Sequence, residues 1–323
     1  MKKSLLSFLV LLIFATSLLS WSGHAAYTYY IIRDIPDIDK RVSITEYSYK
    51  EDREYNLEFL ILEDVAGKRK FIDVPYGIDI PPDPPPINNQ LPVWQILSIY
   101  SPEPDFGMDE GLKLHPLQGL IGNSQGVRHM RYKIGILKAF EADKSFLYFV
   151  NMSKQAFENG DEYWGYRFLA RAIHFIEDLS QPYHNSPGTF FEMIGAAFSK
   201  NKANKLNNAH YLMDDYLIYL LFYSDAAAKE VILGAKPIFF DSYEDYVKEV
   251  MNYTLDKFPI IHKEIKNAFG DKLESPVSLV DIENADKDGK LVKIKSETLS
   301  ILSYSSSVIK GFLLDFLNSV GEI

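Results

Sequence analysis

Tyr163-Trp-Gly-Tyr-Arg-Phe-Leu-Ala-Arg-Ala-Ile-His174-Phe-Ile-Glu-Asp178-Leu-Ser-Gln-Pro-Tyr-His184 is the most informative stretch of the chain. The pattern predicts a helix over 161–180. Asn159-Gly160 stops the preceding helix, and Asp161 is placed to cap this one. His174 and Asp178 then lie one turn apart on one face, where an imidazole and a carboxylate can grip a single ion. Pro182 disfavours helical geometry at Gln181 and helps to end the helix. His184 comes just past that end, able to point back at the same cleft.

The same spacing returns in His210-Tyr-Leu-Met-Asp214 on another expected helix. One His-x3-Asp pair is usually a surface pair or a satisfied core histidine. Two such helices packed face to face, with His184 between them in sequence, would build a metal nest in the core of a bundle. The chain has no cysteine, so thiolate sites, cysteine nucleophiles and disulfides are excluded. A ligand set of His and Asp alone suits zinc at a hydrolytic site.

Outward from this segment the pattern is mostly helical. Helices are expected near 91–100, 131–158, 188–200, 204–223, 242–267 and 294–320. Residues 25–40 begin as a helical stretch. Between them lies a different composition: Val42-Ser-Ile-Thr-Glu-Tyr, Leu57-Glu-Phe-Leu-Ile-Leu and Lys70-Phe-Ile-Asp-Val are rich in β-branched and aromatic residues, with Ala66-Gly67 as a turn. They predict a small β-hairpin near 42–75, with an extended loop after it at the proline-rich 81–86. The fold class is therefore all-α, a multi-helix bundle around a metal cleft, with a β-hairpin insertion. With 323 residues, 47% of them hydrophobic, one large core suffices.

Lys2 and Lys3, the apolar run Leu5 to Leu19 and the small residues after it read as a secretory signal peptide over 1–20. The run is shorter than the roughly 20 residues a spanning helix prefers. The expectation is a secreted, extracellular or cell-surface protein whose single domain spans 21–323. The net charge of −10 argues against a general polyanion binder, although bound cations would change the local field.

The pattern His-x3-Asp-x5-His with a later His-x3-Asp resembles the zinc-dependent phospholipases C and the single-strand-specific zinc nucleases. "HFIEDLSQPYH" is close to that superfamily's wording, and Ala156-Phe-Glu-Asn-Gly-Asp161 resembles its approach to the helix. The resemblance covers roughly residues 93–220 and a short N-terminal piece. It implies three Zn2+ ions. His174 and Asp178 match ligands of a paired site, with the carboxylate bridging two ions, and His184, His210 and Asp214 match those of a separate zinc. Trp21-Ser-Gly-His24 looks like the family's N-terminal element, in which Trp21 binds through its α-amino group and carbonyl and His24 assists. An α-amine has a pKa of about 8 and yields its proton readily to a metal. That role requires cleavage after Ser20, whereas cleavage after Ser17 suits the small-residue rule as well.

Ser101-Pro-Glu-Pro-Asp105-Phe-Gly-Met-Asp109 resembles the family's aspartate segment. Asp105 is the first choice there, as ligand and as the group that orients or deprotonates the attacking water, with Asp109 the alternative. Its histidine partner is His129 by preference, in Ser124-Gln-Gly-Val-Arg-His-Met, with His115 the alternative. Arg128 or Arg131 is a candidate phosphate contact, and His262 reads as structural. The resemblance implies a phosphodiesterase. The phospholipase branch would act on phospholipid at a membrane surface, with Phe106 cradling a cationic headgroup. Met130 after His129, not an aromatic suited to base stacking, leans the same way. The nuclease branch would act on single-stranded nucleic acid or a 3′-nucleotide, and a non-catalytic binding protein on this fold is a third reading. The sequence leaves the oligomeric state open.

Overall fold

The computed structural model describes residues 23–49, 82–114, 124–134 and 137–323. The chain folds as an all-α bundle with two short antiparallel ladders. Helix α1 (His24–Ile31) is buried on nearly every side. Strand β1 (Arg41–Ser43) pairs with β2 (Gln90–Pro92), Val42 opposite Leu91. The expected strands at 57–62 and 70–74 lie outside the described residues. Helix α2 (Val93–Tyr100) starts two residues later than the sequence suggests, because Leu91 and Pro92 belong to β2.

The expected helix over 131–158 is a correction. After a short helix α3 (Gln125–His129), that range divides into a hairpin of β3 (Tyr132–Ile134) and β4 (Leu137–Ala139), and α4 (Ala142–Glu158). The alternation Tyr132-Lys-Ile and Leu137-Lys-Ala, broken at Gly135, is the period-two signal that the neighbouring helical pattern obscures. Gly160, at φ +74°, closes α4. Asp161 then caps α5 (Glu162–Asp178) by accepting from the Trp164 amide. Gln181 is extended before Pro182, which opens the short α6 (Pro182–Asn185).

The remaining helices are α7 (Phe190–Phe198), α8 (Lys200–Phe222), α9 (Ala227–Leu233), α10 (Tyr243–Phe269), α11 (Leu279–Lys287) and α12 (Val292–Ser319). Helices α9 and α11 are absent from the sequence-based expectation. Ser278 and Asp281 form a capping box at the start of α11, a local signal that the sequence does carry.

Helix α4 runs along α5 and α10 along α12, and α1 packs on α2 and α9. The core is aromatic: Phe149 stacks on Phe175 at 5.7 Å, and Phe146 meets Phe312 at 5.0 Å. No helix among the described residues is long and apolar enough to cross a membrane.

One close approach fixes α12. A Cβ at Gly311 would stand 1.8 Å from the Ile238 carbonyl oxygen, and the Ile238 amide bonds the Ser307 carbonyl. The chain between α9 and α10 lies against that glycine. Gly311→Ala must push it away, and we expect a loss of about 1–3 kcal/mol, the usual range for overpacking. Urea denaturation measures it; an unchanged midpoint would show that the segment yields freely.

Candidate metal centre

Helix α5 carries the centre. Burial of its apolar stripe turns His174 and Asp178 inward, both fully buried. Asp178 is shared among four imidazoles. Its Oδ1 lies 3.5 Å from His24 Nε2 and 3.3 Å from His184 Nδ1. Its Oδ2 lies 2.9 Å from His129 Nδ1 and 3.2 Å from His174 Nε2. Asp105 approaches from the 3-10 turn Glu103–Phe106, with Oδ1 3.3 Å from His174 Nε2 and 3.5 Å from His129 Nδ1.

Three groups of side chains result, each with atoms positioned to hold a metal ion: His24, His174 and Asp178; Asp105, His129 and His174; and His184, His210 and Asp214. In the last group His210 Nε2 and His184 Nε2 stand 3.5 and 3.8 Å from the Asp214 carboxylate.

The donor set fits a divalent cation. Four ligands at about 2.0 Å around zinc stand about 3.3 Å from one another, the scale of the contacts around Asp178. His174 Nε2 and His129 Nδ1 are 3.0 Å apart, both also facing carboxylates. Both Asp178 oxygens and His184 Nδ1 are buried without a protein hydrogen bond. Polar atoms buried in that way are costly unless an ion or water satisfies them.

Further carboxylates orient the imidazoles. Glu177 accepts from His24 Nδ1 at 2.7 Å and from the Thr28 hydroxyl at 2.7 Å, which turns His24 Nε2 toward Asp178. Asp109 accepts from His129 Nε2 at 2.8 Å, leaving Nδ1 to face Asp105 and Asp178. Arg128 grips the same carboxylate through Nε and Nη2 at 2.6 and 2.9 Å. Such outer partners set the tautomer and the direction of a ligating ring. Glu103 anchors the turn that bears Asp105, bridging the buried Arg167 and Arg171 of α5 with Nε contacts of 3.0 and 2.7 Å. Gln181 donates to Asp214 at 2.8 Å.

The electrostatics divide the centre in two. Burial disfavours the imidazolium of His174, yet Asp105 and Asp178 overcome it and hold its pKa well above the usual value. His129 is likewise raised, by Asp109 and Asp178 against burial. In the third group burial pushes His184 and His210 down, helped by the charges of His129 and His24 on His184 and of His184 on His210, toward the neutral form a metal binds. Burial also raises Asp214 well above the carboxylate range.

Of the expected site residues, His24, Asp105, His129, His174, Asp178, His184, His210 and Asp214 converge. Trp21 and His115 lie outside the described residues. Asp109 faces His129 from behind, as an orienting group. Arg131 pairs with Asp143 at 3.0 Å, so both arginines considered for phosphate binding are engaged with carboxylates. His262 bonds Tyr183 and Glu192, apart from the three groups. Phe106 is 60% exposed at the mouth of a cleft of about 610 Å³ lined by Asp105, Gln125 and Arg128. Sequence reasoning missed Glu177 and Glu103. Glu177 sits beside Asp178 in the same motif, whereas nothing local marks Glu103.

No protein-family model matches the chain, and no curated protein matches it.

Two outcomes are expected of the purified protein. Chelation should lower Tm by about 5 °C or more, restored by divalent cation, since an ion bound only to the folded state stabilises it; Asp178→Asn should abolish that response, and a variant that kept it would remove Asp178 from the centre. Glu103→Gln leaves two buried guanidiniums poorly matched and should cost about 3–5 kcal/mol in a denaturant melt.

Proposed function

We propose that this chain is a secreted zinc-dependent phosphodiesterase, with the phosphodiester of a phospholipid as its substrate. The observation that carries the reading is the convergence of eight His and Asp side chains from six separate segments on one buried centre, beside an open polar cleft. The His/Asp donor set suits zinc, and three groups suit three ions.

Zinc bound there would supply Lewis-acid polarisation of a phosphoryl oxygen and a water ionised near neutral pH. The protein's own part is positional. Asp105 stands at the boundary between the buried centre and the cleft, its side chain 13% exposed. From there its carboxylate can accept the proton of an attacking water and aim it at phosphorus. Gln125 donates to the same carboxylate and holds its direction. Glu177 and Asp109 keep the rings of His24 and His129 turned inward throughout.

Phe106, next to Asp105 and exposed at the mouth, can meet a quaternary ammonium headgroup through its ring face. It is the one aromatic among the described residues lining the cleft. A nucleic-acid reader would need several ring platforms there, which favours the lipid reading over the nuclease one.

The test is a panel: zinc-loaded protein with a chromogenic phosphocholine diester, phosphatidylcholine vesicles and single-stranded DNA. Hydrolysis of the first two is expected, and Asp105→Asn should lower kcat by about 10²–10⁴-fold, the range for losing a general base. Turnover of DNA alone would replace the phospholipid with nucleic acid, and zinc binding without turnover of any would sink the enzyme reading.

A further inference from the structure

Helix α7 stands out from the rest of the surface. Phe190, Phe191, Ile194 and Phe198 are 59%, 82%, 38% and 75% exposed. Their spacing puts Phe191, Ile194 and Phe198 along one edge of the helix. The opposite edge, Met193 and Ala196, is buried, and Ala196 joins Ala203 and Leu206 in a small cluster separate from the main core. The phenylalanine edge stays open to solvent. A run of large apolar side chains at that exposure marks an interaction surface.

The charge beside it identifies the occupant. In a chain of net charge −10, lysines gather here. Lys200 and Lys202 open α8, and Lys263 and Lys266 project from α10 nearby, all exposed. The stem of Lys202 lies against α7 at Gly195. A groove of about 440 Å³ runs between Phe191, Leu206, Ala209 and Leu273, with Lys202 and Lys266 at its edge. Its carboxylates are engaged: Glu192 with His262 and Lys266, Asp271 with Lys205. An aromatic edge rimmed by lysines is the signature of a helix lying in a membrane interface, its rings among the acyl chains and its cations on phosphates.

We propose that α7 docks the protein on an anionic bilayer. Phe191, Ile194 and Phe198 enter the interface, and Lys200, Lys202 and Lys263 contact lipid phosphates. Helix α7 lies in sequence between His184 and His210, which α8 carries, so the docked helix is tied to the third metal group at both ends. Docking itself needs no catalysis; its use in bringing lipid to the centre rests on the phosphodiesterase reading.

The experiment is co-sedimentation of the chain, freed of its apolar leader, with phosphatidylcholine vesicles with and without phosphatidylglycerol, beside turnover of a soluble phosphocholine diester. The protein should sediment with the anionic vesicles and be released by salt. Phe191→Ser with Phe198→Ser should weaken sedimentation by about tenfold or more, with Tm and metal content unchanged. Lys200→Glu with Lys202→Glu should abolish the preference for phosphatidylglycerol. Failure of the unaltered protein to sediment, or equal sedimentation of the serine variant, overturns the proposal, as does a self-associated form that the serine variant dissolves while vesicles capture nothing. Sedimentation is read whether or not the diester is cleaved, so failure of docking and failure of the hydrolase reading are told apart.

Discussion

A single buried carboxylate organises this molecule. Asp178 has no access to water and faces four imidazoles, two on each oxygen. A buried charge is costly unless it is matched. The imidazoles of His174, His184 and His129 match it and hold its pKa well below the carboxylate range against the pull of burial. The requirement propagates outward. Imidazoles that face one carboxylate must be steadied from behind, and Glu177 and Asp109 do so for His24 and His129. Asp109 in turn needs Arg128. Further along the same face of α5, Glu103 pairs with two guanidiniums and thereby fixes the turn that bears Asp105. The polar interior is one connected arrangement of alternating charge, enclosed by the aromatic seam of α4, α5 and α12.

That arrangement explains why the ligand positions are spread so widely along the chain. The groups come from α1, the 3-10 turn at Glu103–Phe106, α3, α5, α6 and α8. No single helix could present so many inward-facing polar groups and keep an apolar stripe. Helix α5 supplies two ligand positions, with Arg167, Arg171 and Glu177 buried beside them, and gives its other faces to Trp164, Phe168, Ile173 and Phe175. Several of the others contribute where they end or turn, the places where backbone can approach a buried polar centre without giving up a helical face. His184 illustrates it: Gln181 leaves the helical region, Pro182 restarts a single turn, and the Arg131 amide holds the His184 carbonyl at 2.8 Å.

Helical periodicity made part of this legible in the sequence. His174 with Asp178 and His210 with Asp214 are pairs that a 3.6-residue period puts on one face, and Asp161, Gly160 and Pro182 mark the boundaries around α5 by local chemistry. Those elements sit where the pattern puts them. The hairpin at 132–139 was not legible, since two short alternating runs abut a long amphipathic helix whose stronger period extends over them. Nor were the roles of Glu177, Asp109 and Glu103. Sequence gives residue types, but whether a carboxylate touches an ion or the far nitrogen of a ring depends on which side of that ring it occupies, and the tertiary packing alone decides this.

The front and back of the chain are sewn together around the centre. Tyr27 bonds the Leu302 carbonyl and accepts from Ser306, Lys310 is buried against Asp34, and Lys40 reaches Glu322. Helix α1, which brings His24 to Glu177, therefore rests on α12, which is made long after it. Contacts spanning nearly the whole chain close slowly, because the loop entropy must be overcome before they stabilise anything. During synthesis the platform beneath His24 stays unfinished until the final turns of α12 arrive. A product cut short before α12 would thus lack a properly seated first group, and the order of assembly itself reserves the completed centre for chains that include that helix.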